Sequence, residues 1–104
     1  MGSLNKGEIG QPLRVSIGEN ISLSTSAIII AEPEVGITKE FTAIIPDVDV
    51  TVGGVTLNAN EYAEYTTLTI DDLDYVGRWR MKLKATFAST DVRQTDYVKF
   101  RVLA

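Results

Sequence analysis

The sequence predicts an all-β protein, built as an antiparallel β-sandwich of about seven strands. Apolar and polar residues alternate with a period of two along the chain, whereas no stretch of a dozen residues keeps apolar side chains at helical spacing. Clusters of Gly, Pro, Asn and Asp separate the alternating segments at short intervals. A chain of 104 residues has room for one hydrophobic core, and two packed sheets bury the apolar face of every strand.

Three strands are predicted in the first half of the chain. They extend from Leu13 to Ile17, from Ser26 to Ala31 and from Thr38 to Ile45. In the first of them, Leu13, Val15 and Ile17 share one face, because side chains alternate along a strand. Pro33 and Gly36 favour a hairpin connection between the second strand and the third.

A short hairpin, a further strand and a corner follow. Gly53-Gly54 is typical of a tight turn between the β-branched segments 50–52 and 55–57. The next strand is predicted from Ala63 to Ile70, and residues 71–77 are predicted to form a polar corner with a single helical turn.

The clearest alternation runs from Arg78 to Phe87. Its expected core face carries Trp79, Met81, Leu83, Ala85 and Phe87. Because a buried tryptophan fills more volume than any other side chain, we expect Trp79 to anchor the core. The last strand, from about Thr95 to Leu103, is expected to direct Val98, Phe100 and Val102 inward and Tyr97 outward.

Together these strands indicate a single domain over residues 1–104, an immunoglobulin-like sandwich. A small closed barrel satisfies the same alternation and stays open as an alternative. Residues 1–10 are expected to form a flexible or extended N-terminal arm, and the first three are left out of the fold prediction. The arm has no apolar segment of the secretory kind, and the longest apolar stretch, Ala27 to Ala31, is too short to span a bilayer. We therefore expect neither secretion nor a membrane role.

The composition argues against an enzyme. Neither histidine nor cysteine occurs, so the commonest general base, the usual zinc ligands and the thiol nucleophile are missing. A pair of carboxylates can act as acid and base, but fourteen acidic residues on a small surface bring some together by chance. We expect no catalytic residues and no cofactor.

Two acidic clusters contain oxygen ligands of the kind that calcium prefers, Asp47-x-Asp49-x-Thr51 and Asp71-Asp72-x-Asp74. In the first cluster, Asn58 occupies the twelfth loop position, where an EF-hand has a bidentate glutamate. Aspartate is also common in turns, because its carboxylate accepts hydrogen bonds from backbone N–H groups. We therefore predict turns and no metal site at both clusters.

Charge is unevenly distributed along the chain. Residues 1–77 contain three basic and twelve acidic residues, a net charge of −9, whereas residues 78–104 contain seven basic and two acidic residues, a net charge of +5. If the last two strands pair, their outward side chains form one cationic surface. These candidate protein-binding residues are Arg78, Arg80, Lys82, Lys84, Lys99 and Arg101.

Three interpretations of this surface compete. It is a solvated face partly neutralised by acids on adjacent strands, a docking face for an acidic protein, or a contact for nucleic acid. The last is disfavoured, because the chain is acidic overall and Tyr97 is the one clearly outward aromatic residue among these strands. We expect no nucleic-acid partner.

Two segments resemble small immunoglobulin-like proteins and domains of tailed-bacteriophage virions. One combines Tyr65-Thr66-Thr67 with residues 72–83, Asp-Leu-Asp-Tyr-Val-Gly-Arg-Trp-Arg-Met-Lys-Leu. Those proteins carry a similar corner of Asp-Leu-Asp, two residues, Gly, one residue and Trp before an alternating strand. The other is the opening, residues 6–10 followed by 13–18. The hairpin Glu32-Pro33-Glu34-Val35-Gly36 departs in charge from the family's Lys-Pro-Asp-Gly.

The resemblance implies a non-enzymatic structural protein of the virion, located in the head, neck or tail and assembled in the host cytoplasm. Its partners would be capsid, neck or tail subunits, with a homo-oligomer within the particle also compatible. The alternative is a carbohydrate- or receptor-binding module of an adhesin or fibre, for which Tyr62, Tyr65 and Tyr75 are the candidate surface aromatics.

Overall fold

A computed structural model describes residues 3–104 and confirms the all-β, sandwich-like prediction. Ten strands are present: β1 (Ser3–Asn5), β2 (Pro12–Ser16), β3 (Ser26–Pro33), β4 (Lys39–Thr42), β5 (Val50–Val52), β6 (Val55–Leu57), β7 (Tyr62–Thr66), β8 (Gly77–Ala88), β9 (Asp91–Gln94) and β10 (Val98–Leu103). The described residues contain no helix. Met1 and Gly2, the start of the predicted arm, lie outside them.

Six strands form the larger sheet, in the order β1-β10-β8-β3-β4 with β9 also paired to β8. β10 pairs with the first part of the long β8 and β9 with its last part. These pairs are antiparallel, whereas β1 runs parallel to β10. β2 and β7 form a second sheet, and β5 and β6 form a separate hairpin. The described strands therefore make separate open sheets and not the alternative closed barrel.

The core lies between the larger sheet and the β2–β7 sheet. Alternating residues of β2, β3 and β8 are buried, as period-two patterning predicts. The largest contributions come from Leu13, Val15, Ile21, Ile29, Phe41, Leu73, Trp79, Met81, Leu83, Phe100 and Val102. The long strands thus turn most of their apolar side chains towards the other sheet, and the outer face of the larger sheet carries mainly polar residues, together with Ile28 and Ile30 of β3.

Several predicted boundaries are wrong. β7 ends at Thr66, because Thr67 turns inward: its hydroxyl donates to the carbonyl of Glu8 (2.9 Å) and accepts from the N–H of Gln11 (3.0 Å). β1 and β9 were not predicted, since neither has enough residues to show a period. Val98 lies on the core side opposite Met81 yet is 39% exposed, because β1 covers β10 only near its end.

The corner between β7 and β8, where a single helical turn is predicted, is an isolated hydrogen-bonded turn that does not continue into a helix. The Asp72 N–H donates to the carbonyl of Thr69 (3.2 Å), and one carboxylate oxygen of Asp72 accepts the N–H of Leu68 (2.8 Å) and the hydroxyl of Tyr65 (2.8 Å). A carboxylate that accepts backbone N–H groups in this way closes a turn and leaves none of them for a helix.

These contacts shift the pKa of Asp72 and the pKa of Tyr65. Burial on its own raises the pKa of Asp72, but the hydrogen bonds from Leu68, Tyr65 and Thr69 outweigh it, and the net pKa is lowered. Burial and the hydrogen bond to Asp72 raise the pKa of Tyr65 to about 12. At neutral pH the corner therefore holds a carboxylate and a neutral phenol.

Candidate protein-docking face

The outer face of the six-stranded sheet brings together the six predicted basic residues. Four alternate along β8 and two along β10, and the register places Lys99 opposite Arg80 and Arg101 opposite Arg78. Residues directly opposite each other in an antiparallel pair point to the same side of the sheet. The condition for one cationic surface, pairing between β8 and β10, is thus met. We call the surface formed by Arg78, Arg80, Lys82, Lys84, Lys99 and Arg101 the basic face.

Arg80 is held within the molecule. Its Nε and Nη2 atoms lie 2.9 and 2.8 Å from Oε2 of Glu32, and its guanidinium stacks 4.0 Å from the ring centre of Tyr97. The hydroxyl of Tyr97 donates to Oε1 of the same glutamate (2.9 Å). The hydrogen bond from Arg80, followed by that from Tyr97, lowers the pKa of Glu32. This cluster neutralises one cation of the basic face and fixes its side chain.

Arg78 is neutralised only weakly. Its Nε atom lies 3.9 Å from a carboxylate oxygen of Glu34, and both side chains are mostly exposed, at 76% and 64%. An exposed ion pair at this distance contributes little free energy, because water screens both charges. Arg78 is therefore available to a partner, whereas Arg80 is not.

The other four cations of the basic face have no ionic partner in the part of the chain that the structure describes. Lys82, Lys84, Lys99 and Arg101 have no carboxylate oxygen within 4.0 Å among residues 3–104. The ammonium of Lys82 lies 5.0 Å from the ring centre of Tyr97, a cation–π contact that leaves its charge uncompensated. Acids of adjacent strands thus neutralise only part of the basic face.

A half-buried apolar strip runs beside these lysines. Ile28 lies opposite Lys84 and Ile30 opposite Lys82, on the neighbouring strand β3. We call these two side chains the isoleucine strip. Beyond it, at the outer edge of the sheet, Glu40 lies opposite Ile30. The strip and the lysines together can contact a partner that presents aliphatic and acidic side chains side by side.

One end of the basic face opens into a groove of about 450 Å³. Arg78 and Arg101 line one side of it, together with Glu34. Its apolar lining comes from Pro33, Val35, Val76, Val102 and Leu103. The groove was not predicted from the sequence. The sequence does contain a signal for it, because Val35 and Val76 lie in connecting segments, where polar residues are usual.

The two acidic clusters serve as turns in the structure. Asp49 accepts the N–H of Ala59 (2.7 Å), Asp72 closes the corner, and Asp74 pairs with Lys39 (3.1 Å). Among the residues that the structure describes, no three His, Cys, Asp or Glu side chains are grouped so as to hold a metal ion. The geometry supports the turn interpretation of both clusters, and the absence of a metal site stays a prediction.

Calcium is accordingly expected to leave stability unchanged. A ligand that binds only the folded state raises the melting temperature, and Asp49, Asp72 and Asp74 each already have a partner from the protein. Thermal melts in millimolar calcium, millimolar magnesium and chelator should coincide. A rise of more than about 5 °C in calcium over the magnesium control would contradict the prediction, since binding at many times the dissociation constant stabilises by a few kcal/mol.

The three candidate tyrosines do not form a shared exposed surface. Tyr62 is buried and donates its hydroxyl to the carbonyl of Val48 (3.0 Å). Tyr65 stacks on Phe41 with ring centres 4.3 Å apart, and only Tyr75 is exposed. Two of the three therefore have structural contacts that account for them.

No family model matches the chain, and no curated protein and no solved structure matches it either. Residues 3–104 contain no helix with the length and apolar character needed to cross a bilayer. We therefore infer function from the chain's own residues and their geometry.

Proposed function

We propose that this chain is a non-enzymatic structural protein of a tailed-phage virion, which docks through its basic face onto neighbouring head, neck or tail subunits. The observation that carries the docking role is the set of four cations that have no ionic partner among residues 3–104, on one sheet face beside exposed parts of the isoleucine strip. The virion setting is supported by the resemblance of the residue 72–83 corner and of the chain's opening to small virion proteins.

The energetics of exposed charge favour a role in binding over a role in folding. Solvent-exposed charges contribute under about 1 kcal/mol each to stability, so folding alone gives little reason to place six cations on one face. Cations on a flat face attract an acidic surface during encounter and fix its orientation on docking. A protein repeated around a symmetric particle makes such a contact many times.

Neutralising the face is the direct test. The variant Lys84→Gln/Lys99→Gln/Arg101→Gln removes three cations that have no ionic partner among residues 3–104 and leaves the Glu32–Arg80–Tyr97 cluster intact. We expect an unchanged melting temperature and about tenfold weaker incorporation into particles, because three lost contacts of about 0.5 kcal/mol each amount to roughly one factor of ten. Incorporation of the wild-type chain should also fall as salt rises.

A matched variant controls for net charge. Ser22→Glu/Ser89→Glu/Thr90→Glu lowers the net charge by the same three units at exposed positions outside the basic face. It should be incorporated like the wild type. If the glutamine variant is folded and is incorporated as well as this control, the basic face is only a solvated surface and the docking proposal is wrong.

A further inference from the structure

The β5–β6 hairpin has few contacts with the rest of the molecule. It forms a two-stranded sheet of its own, and within the described chain no residue from 50 to 57 makes a hydrogen bond outside the hairpin. None of its side chains belongs to the buried core. A lone two-stranded hairpin is only marginally stable in water, so this element is expected to gain stability from a partner.

The hairpin is amphipathic. Its register pairs Val52 with Val55 next to the turn, and the same face continues at its base with Val50 and Leu57. The opposite face carries Thr51 and Thr56, whose hydroxyls lie 2.9 Å apart. Val52 and Val55 are 51% and 61% exposed. The aliphatic face therefore stands open to solvent, as expected of a contact surface.

Acidic side chains surround the base of the hairpin. Asp47 and Asp49 precede β5, and Glu61 follows the turn that leads out of β6. The N–H of Asn60 donates to the carbonyl of Pro46 (2.8 Å), which holds these two segments together. None of the three acids lies within 4.0 Å of a cationic nitrogen in residues 3–104. We call residues 47–61 the arm, a segment distinct from the N-terminal arm predicted for residues 1–10.

We propose that the chain self-associates head to tail, with the arm of one copy docked on the basic face of the next. The aliphatic face of the hairpin would cover the isoleucine strip, and Asp47 and Asp49 would lie near Lys82 and Lys84. This inference rests on the proposed function, because it names a second copy of this chain as the partner that docks on the basic face. It matches acids to cations and apolar surface to apolar surface, and among the described residues of one copy these acids and lysines have no ionic partner.

Charge disfavours the simplest alternative, a symmetric contact of two arms. That contact would cover the valines but would bring two sets of three unneutralised acids together, which is unfavourable at low salt. It would also leave the basic face uncovered. A head-to-tail contact joins two different surfaces, so it repeats from copy to copy and generates a ring or a filament.

Complementary charge reversal tests the proposal. The wild-type chain should sediment as oligomers at low salt and as monomers at high salt. The variants Asp47→Lys/Asp49→Lys and Lys82→Glu/Lys84→Glu should each weaken self-association by at least about tenfold, since each places like charges where positions 47 and 49 of the arm would meet positions 82 and 84 of the face. Mixed in equal amounts, the two variants should associate again, because positions 47 and 49 of each variant then meet side chains of opposite charge at positions 82 and 84 of the other.

A control of equal charge change separates location from net charge. Glu8→Lys/Asp71→Lys alters two acids outside the arm, a half-buried Glu8 and an exposed Asp71, and should self-associate like the wild type. Val52→Thr/Val55→Thr keeps β propensity but makes the arm polar, and it should weaken association at every salt concentration. Melting temperatures of all variants show whether each one is folded.

The outcomes separate this inference from the proposed function. A wild-type chain that stays monomeric at low salt and high concentration overturns self-association, as does a mixture of the two variants that fails to associate. Self-association of the Lys82→Glu/Lys84→Glu variant as strong as that of the wild type would show that the basic face is not part of the contact, as in arm-to-arm packing, and would overturn it too. If self-association fails while neutralising the basic face still blocks incorporation, the proposed function stands alone. If the chain self-associates but neutralising the basic face leaves its incorporation into particles unchanged, only the proposed function is wrong.

Discussion

Replacing Trp79 with alanine is expected to lower the free energy of unfolding by about 3–5 kcal/mol, the range for removing a large buried aromatic side chain. Trp79 is 2% exposed on the core face of β8. Its ring packs against Phe100 with ring centres 5.8 Å apart, and its indole N–H donates to the carbonyl of Tyr75 (2.9 Å). Truncation removes this packing and leaves a buried acceptor without its donor.

Such a loss is large for a domain of this size, because total stabilities of about 5–15 kcal/mol are usual. Urea unfolding of the wild type and the variant measures it directly. Trp79→Phe keeps much of the ring and loses the hydrogen bond, so it should cost less, about 1–2 kcal/mol. A loss below about 1 kcal/mol for the alanine variant would mean that the indole is not part of the core.

Replacing Asp72 with asparagine is expected to lower the free energy of unfolding by about 2 kcal/mol at pH 7. Its carboxylate accepts hydrogen bonds from the Leu68 N–H and the Tyr65 hydroxyl at 2.8 Å, and from the Thr69 N–H at 3.3 Å. Hydrogen bonds to a charged group contribute about 1.5–3 kcal/mol when buried. Asparagine has a similar shape, and its one carbonyl oxygen can still accept from these donors, but it lacks the negative charge that strengthens the hydrogen bonds.

The effect of this substitution should depend on pH in a defined direction. The pKa of Asp72 is lower in the folded protein than its usual value of about 3.9, so the folded state favours the ionised form. Its contribution is complete above that usual value and is lost as pH falls through the lowered folded pKa. The difference in stability between wild type and Asp72→Asn should therefore be constant near neutrality and shrink below about pH 4.

A neighbouring residue provides the control. Asp71 is exposed and its carboxylate makes no hydrogen bond within residues 3–104, so Asp71→Asn should change stability by under about 0.5 kcal/mol. Urea melts between pH 3 and pH 7 give all three curves. Equal effects of the two asparagine variants, or a difference from wild type that grows in acid, would contradict the assignment of Asp72 as the closing residue of the corner.

The basic face shows how far sequence patterning reaches. Alternation along residues 78–87 places the basic side chains on one side of a strand whatever lies next to it, whereas the pairing of the last two strands entered the prediction only as a condition. The identity of β3 as the other neighbour of β8 did not follow. That neighbour puts Glu32 against Arg80 and Ile30 beside Lys82, and it decides which cations are neutralised.

The hairpin at Gly53-Gly54 shows the same limit. Two β-branched segments around a pair of glycines predict a tight turn from local conformational preference, and the observed β5 and β6 match the predicted segments. Whether a hairpin joins a larger sheet depends on residues far away in the chain. Its separation from both sheets, and hence its exposed aliphatic face, is visible only in the assembled fold.

The sequence by itself determined the all-β class, the buried face of each long strand, the tight turn of the hairpin and the segregation of charge, because these depend on period and composition within a few neighbouring residues. Only the tertiary structure decided the strand order, the parallel pairing of β1 and the pairing of β9 with the last part of β8. It also decided the inward turn of Thr67 and the contacts by which Asp72 closes the corner. Each of these depends on a partner distant in sequence or on a hydrogen bond that overrides local preference, and a period-two pattern contains no record of either.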